Sequence, residues 1–256
     1  MKAKLTIFKI GGHVLEDEKA LYRFLKAFGA RPELKILVHG GGKKASQLAR
    51  QLNITPQMIN GRRVTDAKML EVAMMVYAGL YNKKITAILQ SLGLDAIGLS
   101  GADANTVLAR KRPVGEVDFG FVGDVTRVNK DRLERFLEAG LVPVFCALSH
   151  DGQGQLLNTN ADTIATEIAR ALSAVFSTEL IFCFEKSGVL RNHADESTLI
   201  ERLSENTFLQ LKQQGIFNNG MLPKLDNAFA ALRSGVESVR ITHFSQLEKG
   251  TQITLD

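Results

Sequence analysis

Ile36-Leu37-Val38-His39-Gly40-Gly41-Gly42 is an apolar run that breaks into three consecutive glycines, and Ala45, Leu48, Ala49 and Leu52 then recur at helical spacing. The first half suits a strand buried on both faces, and the second a helix with one face turned inward. The chain opens in the same way. Leu5 to Ile10 reads as a buried strand, meets Gly11-Gly12, and precedes a helix with Leu21, Phe24, Leu25 and Phe28 on one face. Working outward, Met58 to Thr65 reads as a hairpin around Asn60-Gly61. Asp66 can cap one long helix reaching about Leu92. Ala96–Leu99, Leu141–Leu148 and Leu180–Phe184 read as strands, and Val236–Ile241 as the last internal strand. Residues 101–126 are rich in Gly and Val and suit short strands and turns. Leu133, Phe136 and Leu137 mark a helix closed by Gly140; another helix runs from about Asn160 to Ala174, and two more end at Gly215 and Gly235. Strand–helix alternation with strands apolar on both faces implies a mostly parallel α/β sheet covered on both sides, with ligands at the carboxyl ends of the strands. The glycine clusters stand at those ends. A boundary near residue 175 divides the chain into lobes 1–174 and 175–256.

The balance of the 256 residues is that of a globular chain, 45% hydrophobic and 23% charged. No apolar run approaches the roughly 20 residues that span a bilayer, and no signal peptide is evident at the start. Cys146 and Cys183 sit inside apolar runs, which suits buried, reduced thiols and a cytoplasmic location. The net charge of +5 favours anionic small molecules. Three tyrosines and no tryptophan offer few platforms for stacking bases, so nucleic acid is not an expected partner.

Lys9-Ile10-Gly11-Gly12 and His39-Gly40-Gly41-Gly42 bring backbone N–H groups close to an anion, and a helix start adds partial positive charge. Two tight turns would explain the same glycines without a ligand. Neither cluster fits the Walker pattern, and no dinucleotide G-x-G-x-x-G follows the first strand. Asp118-Phe119-Gly120 spells a protein-kinase tripeptide, but no H-R-D loop precedes it, and it reads as a turn. Lys9 ends a hydrophobic strand, where a lysine is rarely buried without a partner. Lys224 falls in the first turn of a helix, where a cation opposes the helix dipole and an anionic ligand would offset the cost. Asp162 falls in another first turn, where dipole complementation alone would suit it.

The ordered strings K-I-G-G (Lys9 to Gly12), V-H-G-G-G (Val38 to Gly42), N-G-R-R-V-T-D (Asn60 to Asp66), G-L-S-G-A-D (Gly98 to Asp103), L-N-T-N-A-D (Leu157 to Asp162) and G-M-L-P-K (Gly220 to Lys224) resemble the acetylglutamate kinases of the amino acid kinase family. The resemblance covers nearly the whole chain. It implies a three-layer αβα sandwich with an N-terminal lobe for acylglutamate and dimerisation and a C-terminal lobe for ATP. It gives Lys9 and Lys224 the transferring phosphoryl group and Asp162 the organisation of both lysines. Gly11, Gly12 and Gly41 are phosphate contacts by the same resemblance, and Gly41 and Gly42 flank the acylglutamate. Arg63 is the clamp for its α-carboxylate, suited by a bidentate guanidinium, and Asn158 is a further contact. Glu185, Lys186, Ser187, Gly188, Val189 and Leu190, with Ile216, Phe217 and Asn218, fall where the family holds ATP, whose Mg²⁺ arrives with the nucleotide. Glu185 stands where aspartate is usual, and Arg62 where leucine is common.

The implied reaction is ATP-dependent phosphorylation of the side-chain carboxylate of N-acetyl-L-glutamate in arginine biosynthesis. Such a carboxylate has a pKa near ~4.3 and is already anionic, so no general base is needed. The alternatives are N-succinyl-L-glutamate, for which Arg62 would supply a cation, the carbamate, glutamate 5-, aspartate or uridylate kinases of the same fold, and a catalytically silent nucleotide-binding regulator. With few residues ahead of the first strand, the resemblance also implies a homodimer insensitive to arginine.

Overall fold

The computed structural model describes residues 2–59, 61–217 and 221–255. Packing divides the chain into two compact units, Met1–Lys35 with Ala165–Asp256, and Ile36–Ile164. This differs from the contiguous 1–174 and 175–256 division expected above. Strand Lys4–Ile10 lies parallel to Ser177–Phe184, from Lys4 opposite Ser177 to Ile10 opposite Cys183. That pairing carries the start of the chain into the same unit as its end.

In the first unit the strands run in the order Arg202–Ser204, Thr251–Thr254, Ser238–His243, Ser177–Phe184, Lys4–Ile10. All neighbours are parallel except Thr251–Thr254 against Ser238–His243. Val236–Ile241 is therefore not the last internal strand. Thr251–Thr254 inserts beside it, and the short polar edge strand Arg202–Ser204 completes the row. Helix Glu18–Gly29 starts at Asp17, whose carboxylate accepts from the N–H groups of Lys19 and Ala20 at 2.9 and 3.0 Å. Its inward face places Phe24 and Phe28 against Phe8, with Phe8 and Phe28 edge to face at 5.2 Å. All three rings are fully buried, each contributing about 1.5–3 kcal/mol by the area it removes from water.

In the second unit, Leu37, Val38 and His39 pair in parallel with strand Val142–Cys146, which also pairs in parallel with Ala96–Leu99. The expected strand Leu141–Leu148 is two: after Cys146 the chain leaves the parallel row, and Leu148–His150 joins a second sheet with Leu156–Asn158, Val107–Lys111 and Gly123–Val128. The hairpin holds, with Ile59 opposite Arg62. Helix Gly42–Gln51 buries Ala45 and Ala49, but Leu48 is half-buried and Leu52, beyond the last turn, is 48% exposed. Asp66 caps as expected, accepting from Met69 N–H at 2.8 Å. The helix it opens is not one α-helix to Leu92. Ala67–Met74 gives way to a π-helix over Met75–Asn82, followed by Lys83–Ser91. Cys146 and Cys183 are buried free thiols. Among the described residues no helix is long and apolar enough to cross a membrane.

Candidate active site

Both glycine clusters close strands and open helices, Gly12–Glu16 and Gly42–Gln51. Gly41 has φ +153°, and a Cβ there would come within 2.8 Å of the Tyr77 ring and 3.0 Å of the Tyr81 ring. Only glycine fits at this buried position at the head of the helix. Arg63 reaches the same place. Its Nη2 donates to the Gly42 carbonyl and to Ser46 Oγ, both at 2.8 Å. Burial raises the pKa of the Tyr77 phenol, while the charge and hydrogen bond of Arg63 pull it the other way. Asn158 Nδ2 donates to Thr65 Oγ1 at 2.9 Å. The turn Asp118–Gly120 abuts that threonine: Thr65 N–H donates to Phe119 O and Phe121 N–H to Thr65 O. The kinase-like tripeptide thus serves as a turn that holds Thr65. Successive strand residues face opposite ways. Arg63 is half-buried and Arg62 is exposed on the opposite face of the strand.

His39 supports this cluster from below. It is fully buried; Nδ1 donates to Gly40 O at 2.9 Å and Nε2 accepts from Asn82 Nδ2 at 3.2 Å. The network assigns the neutral Nδ1–H tautomer. Burial pushes the imidazole pKa down to about 4, against a smaller upward pull from the Gly40 carbonyl. Asn82 also donates to Val144 O at 2.8 Å. Asp162 occupies the first turn of helix Ala161–Leu172, where its N–H donates to Asn160 Oδ1 at 2.7 Å.

The first unit holds the two lysines. Lys9 is half-buried at the strand end, and a Cβ at Gly11 would lie 3.8 Å from its Nζ. Lys224 is buried at 8% exposure despite its place in the first turn of Met221–Arg233. Its Nζ stands 5.1 Å from the Phe182 ring centroid and 6.0 Å from that of Phe184. Burial raises the pKa of the Cys183 thiol, and the charges of Lys9 and Lys224 both lower it. Lys9 lies opposite Phe182 in the strand pairing and Lys224 Nζ stands over the ring of the same phenylalanine, so both cations lie toward the carboxyl end of strand Ser177–Phe184.

Lys186, Gly188, Leu190, Ile216 and Phe217 line one pocket in this unit, joined by His193 and Met221, which the sequence did not single out. Glu185 is exposed, and Val189 is wholly buried. Glu196 fastens the loop: its carboxylate accepts from Ser187 N–H at 3.2 Å and Ser187 Oγ at 2.5 Å, and pairs with Lys186 Nζ at 3.2 Å. Asn218 lies outside the described residues. Ser46, Tyr77, Asn82 and Glu196 escaped the sequence reading, which also gave no role to the side chain of His39; each works through contacts that the linear sequence does not show.

A sequence profile described as the amino acid kinase family matches residues 4–243. An acetylglutamate kinase of Bacteroides fragilis is 50% identical over 255 residues, covering 99% of this chain and 98% of the relative. One of Phocaeicola vulgatus is 50% identical over 251 residues, 98% of each chain. Among solved structures, smu.665 of Streptococcus mutans UA159 superposes with a TM-score of 0.83 at 27% identity, covering 98% of this chain and 99% of that one. Its paired glycine clusters, its two lysines toward one strand end and these full-length likenesses have one explanation: the chain belongs to the amino acid kinase family, among the acetylglutamate kinases.

Proposed function

We propose that this protein transfers the γ-phosphoryl group of ATP to the side-chain carboxylate of N-acetyl-L-glutamate, a step of arginine biosynthesis. The observation that carries the reading is that Lys9 and buried Lys224 both lie against Phe182 toward one strand end, with Gly11 beside Lys9. Phosphoryl transfer to an anion needs little covalent help. It needs two polyanions held in line and the spreading charge stabilised. We assign that charge to Lys9 and Lys224, with the amides of Gly11 and Gly12. Arg63 takes the α-carboxylate, with Gly42 and Asn158 beside it; the bonds of Arg63 to Gly42 and Ser46 support the role by fixing one edge of the guanidinium. The pocket of Lys186, Gly188, Leu190, Ile216 and Phe217 takes ATP, which brings its own Mg²⁺. In this assignment the acylglutamate residues fall in Ile36–Ile164 and the nucleotide residues in the other unit. Partial exposure of Met74, Met75 and Leu80, at 37%, 53% and 45%, supports a homodimer formed through the second unit.

Coupled ADP release with N-acetyl-L-glutamate, N-succinyl-L-glutamate, L-glutamate and carbamate side by side tests the reading. Turnover with the acetyl substrate is the expected result. Turnover confined to carbamate or free glutamate overturns it.

A further inference from the structure

We propose that Thr251 is a positioning residue for the nucleotide, acting through the backbone of Val189; the proposal rests on the nucleotide site assigned above. Residues 189–200 fold back on themselves. Ile200 N–H donates to Val189 O at 2.9 Å, Leu190 bridges Leu199 in antiparallel fashion, and Arg191 N–H donates to Thr198 O at 3.1 Å. In an ordinary hydrogen-bonded antiparallel pair, Val189 and Ile200 would exchange two backbone bonds. Here one is direct and the other runs through a side chain. Val189 N–H donates to Thr251 Oγ1 at 2.8 Å, and the same hydroxyl donates to Ile200 O at 2.6 Å.

Thr251 is wholly buried and is not among the residues that line the pocket. Gly188 and Leu190, on either side of Val189, do line it. The hydroxyl thus sets the height of a backbone segment whose two neighbours form the pocket wall. Gly188 completes the fit. A Cβ there would meet Thr251 Oγ1 at 2.6 Å and Thr251 N at 2.9 Å, so the loop lies against the threonine with no room for a side chain. The inserted bond is a polar contact in a dry place. Its loss strands an N–H and a C=O together, and the loop must move to satisfy them.

Thr251→Val keeps the shape and removes the hydroxyl; Thr251→Ser keeps the hydroxyl. We expect Thr251→Val to raise KM for ATP about tenfold, the effect of one unsatisfied buried group. We expect kcat at saturating ATP and KM for acetylglutamate to stay within about twofold, and Thr251→Ser to restore the KM for ATP. Thr251→Ala leaves space for a bridging water and gives a second reading should the valine protein not fold; it is expected to show a smaller rise in the same constant. An unchanged KM for ATP in Thr251→Val, or in Thr251→Ala if only that folds, overturns the proposal. So does a serine variant as impaired as the valine one, or an equal loss on the acetylglutamate side. Ile216→Glu, which alters the pocket wall directly, separates the two levels. If it raises KM for ATP while the Thr251 variants do not, the positioning role fails alone. If it leaves KM for ATP unchanged, the assigned nucleotide site fails, and the proposal with it.

Discussion

Lys224 stands where an isolated helix would not choose a cation. The first turn disfavours positive charge by about 0.3–1 kcal/mol, and burial adds to the cost. The aromatic faces of Phe182 and Phe184 offset some of it. The proposed role, holding an anionic phosphoryl group, would favour a lysine at this position. We expect Lys9→Ala and Lys224→Ala each to lower kcat by at least about a hundredfold with a smaller change in KM; near wild-type turnover in either would remove the lysines from the chemistry. His39 carries a different prediction. Its folded pKa of about 4 lies below the ordinary 6.5. The unfolded chain therefore binds the proton more tightly, and stability rises with pH between those values. The contribution is whole above about pH 6.5 and is lost as pH falls toward 4. Urea unfolding of wild type and His39→Gln at pH 7 and 4.5 should show the wild type losing roughly 2–3 kcal/mol more than the variant. Parallel losses would mean that His39 titrates freely in the folded state. At this scale much was legible. A lysine ending an apolar strand and glycines at strand ends are visible in one dimension; a histidine locked by an asparagine 43 positions away is not.

Among the elements, the π-helix Met75–Asn82 is the one the sequence conceals. Met-Val-Tyr-Ala-Gly-Leu-Tyr-Asn is mostly apolar and fits an α period as well as a wider one. The wider i→i+5 ladder brings residues four and five apart toward one side. Tyr77 and Tyr81 both close on Gly41, and Asn82 reaches His39. Deleting Gly79, exposed within the segment, should return the ladder toward α spacing and turn these groups out of register. We expect KM for acetylglutamate to rise about tenfold or more, the scale of misplacing a binding group, with KM for ATP within about twofold. Steady-state kinetics alongside circular dichroism measures this, and an unchanged KM for acetylglutamate would show that the π geometry is incidental. Elements with strong local signals came through: the Asp66 cap, the hairpin, and the helix ended by Gly140. Thr251–Thr254 and Arg202–Ser204 did not, because short half-polar strands gain their identity from neighbours rather than from alternation.

For the whole molecule, the order of elements misled where it ran against contact. Reading along the chain suggests two successive lobes. The parallel pairing of Lys4–Ile10 with Ser177–Phe184 instead makes Ile36–Ile164 an insertion between two parts of one unit. No local pattern announces a partner more than 160 residues away, though both strands were legible as strands. The proposed assignment of one ligand to each unit gives the chain a definite chemical product, an acyl phosphate. Such a mixed anhydride reacts with hydroxylamine to give a hydroxamate, whereas a phosphate ester does not. The most direct measurement is therefore ATP-dependent hydroxamate formation from N-acetyl-L-glutamate by the purified protein. The account requires hydroxamate in step with ADP release, and its loss in Lys9→Ala. ADP release with acetylglutamate but without hydroxamate would contradict phosphorylation of the carboxylate.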